Sequence, residues 1–318
     1  MNKLFRELLP FGSLILVIAV LSLWQPHSFL TLDNFLNVLR RSSVYGILAI
    51  GMTFVIISGG IDLSVGSLLA LCGMCAAGTM VSLGGSSPSS GVMAFGIAAG
   101  LLTGAAAGLL SGALITRLKL QPFIATLGTM SLYRGIALVM YDGQPINCPS
   151  FRYLGEGTYL GVPISVILFL LVIAVSGAIL KFTRFGRHTY AIGSNPEAAH
   201  HAGIRVDRRI LTIYTFGGLL TGLGAVIAMS RTVSAQPTAG VGAELDVIAA
   251  VVIGGASLSG GRGTVTGTLI GTLLISFLRN GCTLVGVSTN AQLIVIGIVI
   301  VLAVAVDQFT RRKAGYAV

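Results

Sequence analysis

Charge is what this 318-residue sequence has least of. Asp, Glu, Lys and Arg supply only 9% of it, against 54% apolar residues. A soluble domain carries about 25% charged residues, so most of this chain's surface does not face water. That excludes a cytosolic enzyme, a nucleic-acid binder and a disordered chain. The 4 cysteines build nothing recognisable: Cys72 and Cys75 form a C-x-x-C inside an uncharged apolar run, where no accessible thiolate is stabilised, and Cys148 and Cys282 are isolated. There is no G-x-x-x-x-G-K-[ST], since none of Lys3, Lys119, Lys181 and Lys313 follows a glycine. His27, His188, His200 and His201 all fall outside the apolar runs, and no H-E-x-x-H occurs, so neither an intramembrane Ser–His dyad nor a zinc protease has a seat. No Asp or Glu falls inside an apolar run either, which leaves a proton or sodium relay without its acids. The sequence predicts no catalytic residue and no metal site.

What is present is oil and glycine. A spanning helix needs about 20 mostly apolar residues, and ten stretches are candidates: 8–24, 43–58, 65–83, 92–115, 122–141, 162–180, 210–229, 247–258, 264–281 and 289–306. Only Arg134 and Arg279 bring charge into them. The fold class is therefore all-α: a single polytopic membrane domain over 1–318, of about ten transmembrane helices. Nothing resembling a small-residue cleavage site precedes Trp24-Gln25-Pro26, so the first run reads as an uncleaved span. Segments two and eight are short and stop at Gly-Gly pairs, which predicts broken or re-entrant helices.

The net charge of +10 is unevenly placed. With the N-terminus inside, the cytoplasmic side collects Lys3, Arg6, Arg117, Lys119, Lys181, Arg184, Arg187, Arg205, Arg208, Arg209, Arg262, Arg311, Arg312 and Lys313. The outer side receives Arg40, Arg41, Arg152 and Arg231. The positive-inside rule then puts both termini in the cytoplasm. Arg40-Arg41 is the discordant pair, and 31–42 is predicted to lie as a helix in the outer interface.

Glycine follows a pattern. Gly96, Gly100, Gly104, Gly108 and Gly112 recur every four residues, as do Gly263, Gly267 and Gly271, and Gly218 and Gly222. Such grooves admit a neighbouring helix backbone to backbone, either for static packing or for low-friction rocking. VIISGGIDLSVGS (55–67) and VVIGGASLSGGRG (251–263) share GG-x-x-LS-x-G, aligned on Gly59-Gly60 and Gly254-Gly255. A Gly pair ends one helix, and Asp62 or Ser64, or Ser257 or Ser259, then caps the next. Two such polar turns either serve as caps alone or narrow a permeation path. Glu244 and Asp246 open the eighth segment on the outer side, favouring its positive end or forming an outer gate. Arg134 must face protein or water, lining a path or meeting Asp142. Arg279 is near enough to its helix end to snorkel.

The longest polar piece, 181–209, reads KFTRFGRHTYAIGSNPEAAHHAGIRVDRR. Ser194 or Asn195 caps a helix whose first turn holds Pro196 and Glu197 and which runs about two turns to Gly203. It is either a docking element or a solvated basic loop.

Here the chain resembles the permease subunits of bacterial ABC importers for sugars, the ribose-type group. GGIDLSVGS (59–67), RFGRHTYAIGSNPEAAHHAGI (184–204) and SAQPTAGVGAELDVIAAVVIGGASLSGGRGTVTGTLIG (234–271) carry the likeness. Glu197-Ala198-Ala199-x3-Gly203 is similar to the EAA-x3-G motif that seats permeases in a groove of the ATPase. The resemblance implies an inner-membrane permease that works as a dimer with a second copy or a sister permease. It also implies a cytoplasmic ATP-binding subunit that holds the ATP and magnesium, no cofactor in this chain, and a periplasmic sugar-binding protein. Gly193, Asn195, Glu197, Ala198, Ala199 and Gly203 would couple to the ATPase. Gly59, Gly60, Asp62, Ser64, Arg134, Glu244, Asp246, Gly254, Gly255 and Ser257 would line the path or gate, and Arg152 and Arg231 would grip acids on the binding protein. The expected activity is import of a ribose-like pentose or a hexose; a branched-chain amino-acid or nucleoside permease and an ion-driven carrier are the alternatives.

Overall fold

A computed structural model describes residues 3–85 and 87–313. Met1, Asn2, Ser86 and 314–318 lie outside the described residues. So do the side chains of 3–10, 300, 303–304 and 306–313, and with them Lys3, Arg6, Arg311, Arg312 and Lys313, on which the topology reading draws. All ten apolar stretches fall on helices. In chain order these are α1 (Lys3–Trp24), a short α2 (Pro26–Phe29), α3 (Leu32–Ile57), α4 (Val65–Gly84), α5 (Ser90–Arg117) and α6 (Pro122–Val139). There follow α7 (Tyr153–Glu156), α8 (Ile164–Phe182), α9 (Arg184–Ser194), α10 (Pro196–His201), α11 (Val206–Thr232), α12 (Ala243–Ile253), α13 (Val265–Leu284) and α14 (Thr289–Lys313). Four two-residue strands make two antiparallel pairs: β1 (Ile146–Asn147) with β4 (Ser234–Ala235), and β2 (Thr158–Tyr159) with β3 (Val162–Pro163). Among the described residues, 7 helices are long and apolar enough to cross a membrane: α3, α4, α5, α6 with the turn that follows it, α8, α11 and α13.

The helices are layered by burial. α3 is the axis, with 83% of its apolar window buried; α5, α6 and α8 bury only 28% and turn Leu102, Leu132, Leu170 and Leu171 outward. A soluble protein does not expose contiguous apolar surface on this scale, so these faces are made for lipid. The glycine ladder of α5 forms the predicted groove. A Cβ on Gly104 would strike the backbone of Gly218 on α11, and one on Gly100 would meet Cys72 O of α4 at 3.2 Å. α11 is held from two sides, because its Gly217 faces Gly51 of α3 while Gly218 faces α5.

Three expectations change. Residues 31–42 are no separate interfacial helix: α3 runs unbroken through Arg40-Arg41, with Thr31 accepting from Asn34 N at 3.2 Å as its cap. On this unbroken α3 Arg40 is half-buried and Arg41 exposed. Segment two is neither short nor broken, being the second half of the 26-residue α3, whereas segment eight is short: α12 has 11 residues and is entered through turns at 237–242. Gly263 belongs to the turn before α13, whose cap is Thr264 accepting from Gly267 N at 3.0 Å, and not Ser257 or Ser259.

Candidate functional site

The basic loops gather at one end of the bundle, around α9 and α10. Thr183 caps α9 by accepting from Gly186 N, and Gly186 abuts the backbone of Leu180, which sets a sharp elbow between α8 and α9. Phe185 stacks on Phe54 of α3, ring centroids 5.9 Å apart. Partial burial first, then the cations Arg209, Arg187 and Arg184, lower the pKa of His188, so this loop histidine stays neutral near pH 7.

Asn195, rather than Ser194, caps α10, its Oδ1 accepting from Ala198 N at 2.9 Å. Pro196 occupies the first helical position, where its missing N–H costs nothing. α10 runs to His201 and ends, as predicted, at Gly203, in a Schellman turn: Gly203 N reaches His200 O at 2.9 Å and Ile204 N reaches Ala199 O at 3.0 Å, with Gly203 at φ 83°. Only glycine takes that conformation without strain. Ala199 is buried against the body, while Glu197 and Ala198 face outward and Glu197 has no ion pair among the described residues. The loop therefore offers a short, rigid, outward-facing ridge.

Gly193 joins this ridge to the membrane core. A Cβ there would overlap Ile57 O at the end of α3 and meet Gly261 N at 2.6 Å. Gly261 N itself donates to Ile57 O at 2.8 Å, and Tyr190 Oη donates to Gly263 O at 2.7 Å. Three backbones thus meet: the coupling segment, the end of α3 and the 254–263 turn.

The two sequence-matched turns both adjoin this junction. Asp62 Oδ1 accepts from Ser64 N at 2.8 Å and from Ser64 Oγ at 2.6 Å; in the matching place Ser257 Oγ accepts from Ser259 N at 3.3 Å. The helix-ending register slips by one, however. Gly59 takes the left-handed position after α3 (φ 84°), but after α12 it is Gly255 (φ 90°), not Gly254. Gly254 instead packs its Cα face on Gly267. Ser64 stands at the start of α4 without a capping bond of its own, and the turn is tied down by Tyr214 Oη donating to Ile61 O at 3.2 Å.

At the opposite end the chain re-enters the bundle. From Val233 it passes beside α4, pairs with β1 through Ser234–Ala235, then winds through turns at 237–242 to reach α12 at the level of Gly66, whose backbone meets Gly240. Arg134 satisfies this stretch: its Nη1 donates to Pro237 O at 2.7 Å and to Ala239 O at 2.9 Å, and Glu244 rather than Asp142 is its charged neighbour. Glu244 accordingly sits inside the bundle against Gly66 at the start of α4, whereas Asp246 is buried beside Arg279 and Arg41. Arg279 does not snorkel. Its Nη2 donates to Asp246 Oδ1 at 2.8 Å, with the two side chains 12% and 7% exposed. Two partly hidden charges near span ends were the signal for that pair, since intramembrane charges need partners. Arg152 is exposed and pairs loosely with Glu156 at 3.9 Å; Arg231 lies deeper, lining a cavity. Among the described residues no group of three His, Cys, Asp or Glu side chains is placed to hold a metal ion.

The sequence profile of the family described as "Branched-chain amino acid transport system / permease component" matches residues 34–304. The chain belongs to this permease family. It is 48% identical to the ribose import permease protein RbsC of Bacillus subtilis (strain 168), covering 96% of this chain and 94% of that protein. Against the protein of the same description from Escherichia coli (strain K12) it is 45% identical, covering 93% and 91%. The D-allose transport system permease protein AlsC of Escherichia coli (strain K12) is 37% identical, covering 95% of this chain and 91% of that one. No solved structure matches. The family makes this chain a membrane transport subunit rather than an enzyme.

Proposed function

We propose that the chain is the membrane-spanning subunit of an ATP-binding-cassette importer that carries a monosaccharide, a pentose or hexose, across a bacterial inner membrane. Two of the relatives reported above are named for ribose and D-allose, neutral sugars that need no counter-charge in the bundle. Under this reading the basic end with α9 and α10 is cytoplasmic, both termini lie on that side, and a separate subunit supplies ATP and magnesium. The opposite end receives substrate from a periplasmic binding protein, with Arg152 on the docking rim, and two permeases form the pore.

The observation that carries the mechanism is the junction at Gly193. A partner gripping Glu197 and Ala198 pushes α10; Asn195 and Gly203 keep that helix stiff. Gly193 passes the displacement, backbone to backbone, to the end of α3 and to the 254–263 turn. Both Gly-Gly turns then move together at the inner mouth, and the glycine-lined α5–α11 contact lets the spans tilt with little steric penalty.

The test is reconstitution with the ATP-binding and sugar-binding proteins, reading sugar uptake and ATP hydrolysis separately. A Glu197→Arg, Gly203→Pro double variant should insert normally, yet lose at least about tenfold of its uptake per ATP hydrolysed. Unchanged uptake refutes the coupling role. Because the family description names branched-chain amino acids, the same preparation is screened with leucine and with pentoses and hexoses. ATP turnover raised by leucine and by no sugar would replace the sugar reading.

A further inference from the structure

Of the four basic residues that defy the positive-inside pattern, three are not scattered. Arg40 and Arg41 of α3 and Arg231 in the last turn of α11 converge on one cavity of about 610 Å³ at the end opposite the coupling ridge. Asn37, Asn280 and Glu156 also line it. That volume is in the range of small-molecule sites, roughly 300–1,000 Å³.

Its charge is unbalanced. Glu156 is the one acid in the wall, and it leans on Arg152, outside the cavity. The neighbouring Asp246 is paired with Arg279 and also faces Arg41, so Arg40, Arg41, Arg231 and Arg279 together meet only two acids, Glu156 and Asp246. Arg41 and Arg231 are close enough to feel one another electrostatically. The Nε atoms of Arg40 and of Arg231 are shielded from solvent and have no hydrogen-bond partner; Arg40 spends one Nη1 on Asn37 at 3.4 Å. Buried donors of charged groups are costly to leave unmet, and like charges on two helices are costlier still. Such an arrangement is stable when an anion completes it. Guanidinium forks from two helices approach from different directions, which suits a tetrahedral oxyanion with acceptors all round better than a flat carboxylate that one fork satisfies.

We infer that this cavity is a phosphate-group site, formed by Arg40, Arg41 and Arg231 and filled either by a phospholipid headgroup or by a free phosphate or phosphate ester. The site stands on the cavity and its charges; only its assignment to the outer leaflet rests on the orientation proposed above.

The full chain is purified in neutral detergent without phosphate and its Tm is followed with inorganic phosphate, with sodium acetate at equal ionic strength, and in nanodiscs of phosphatidylcholine with or without phosphatidylglycerol. A saturable rise of about 5 °C is expected with the phosphate-bearing ligand that fits. Phosphate alone assigns a free anion, phosphatidylglycerol alone a lipid headgroup. An Arg40→Gln, Arg231→Gln variant should lose the shift, while Arg117→Gln at the far end keeps it. Should the double variant not fold, native mass spectrometry of the wild type, scoring retained phosphatidylglycerol against phosphatidylcholine and phosphate adducts against acetate, decides alone. No preference for phosphate-bearing ligands overturns the inference. Acetate acting as strongly as phosphate overturns it too, and points to an acidic side chain of a docking protein.

Discussion

Asp246 and Arg279 show how a membrane protein keeps charge. Desolvating the two ions offsets much of their attraction, so the pair contributes little net stability over an apolar pair of the same volume, whereas removing one partner strands the other. Asp246→Ala should therefore destabilise the protein by about 3–5 kcal/mol, and Asp246→Leu with Arg279→Met should recover most of that loss. A double-mutant cycle on thermal denaturation in detergent measures it; additive single effects would show that the pair is not coupled. Gly193 is governed by volume instead. Its Cβ position is filled by Ile57 O, so Gly193→Val must pry α9 off the end of α3. Uptake should fall while ATP hydrolysis persists, a split that simple misfolding does not give.

Among the elements, the α5 ladder was legible because a four-residue period on one helix face has a single geometric meaning. Gly104→Val should cost about 1–3 kcal/mol by overpacking against Gly218, read as a lowered Tm, whereas Gly128→Val on α6, where a Cβ meets nothing within 4 Å, should leave Tm unchanged. The loop helix α10 was legible for the same kind of reason: an Asn cap, a Pro at the first position and a Gly past the end each have one local use. The continuity of α3 was not. Two arginines beside an apolar run read equally as an interfacial helix or as a helix with one polar face, and only tertiary packing, here the cavity shared with α11 and α13, distinguishes them. The register slip between the Gly-Gly turns was hidden likewise, since the side-chain match at Asp62 and Ser257 says nothing about which glycine adopts the left-handed conformation.

For the whole molecule, the ten apolar stretches and their lipid-facing faces follow from composition, but the pairings that organise the interior do not. Arg134 with the 237–239 carbonyls links residues more than a hundred positions apart, and nothing periodic announces it. Arg134→Ala leaves Pro237 O and Ala239 O unpaired, at about 1–3 kcal/mol each. The stretch should loosen, so that a cysteine at Ala239 becomes faster to label with a maleimide in the variant than in the wild type; equal rates would mean that α4 alone holds it.

That same stretch of turns has a bearing on biosynthesis. Peptide groups at membrane depth have to be met within the protein, and α12, at 11 residues, is too short to partition into lipid unaided. Its berth is made chiefly by α3, which leaves the ribosome before it, and by α13, which follows it. Half of the shelter is therefore waiting when α12 emerges, and the other half arrives only with the next helix, so α12 has to be held by the nascent protein until α13 is in place.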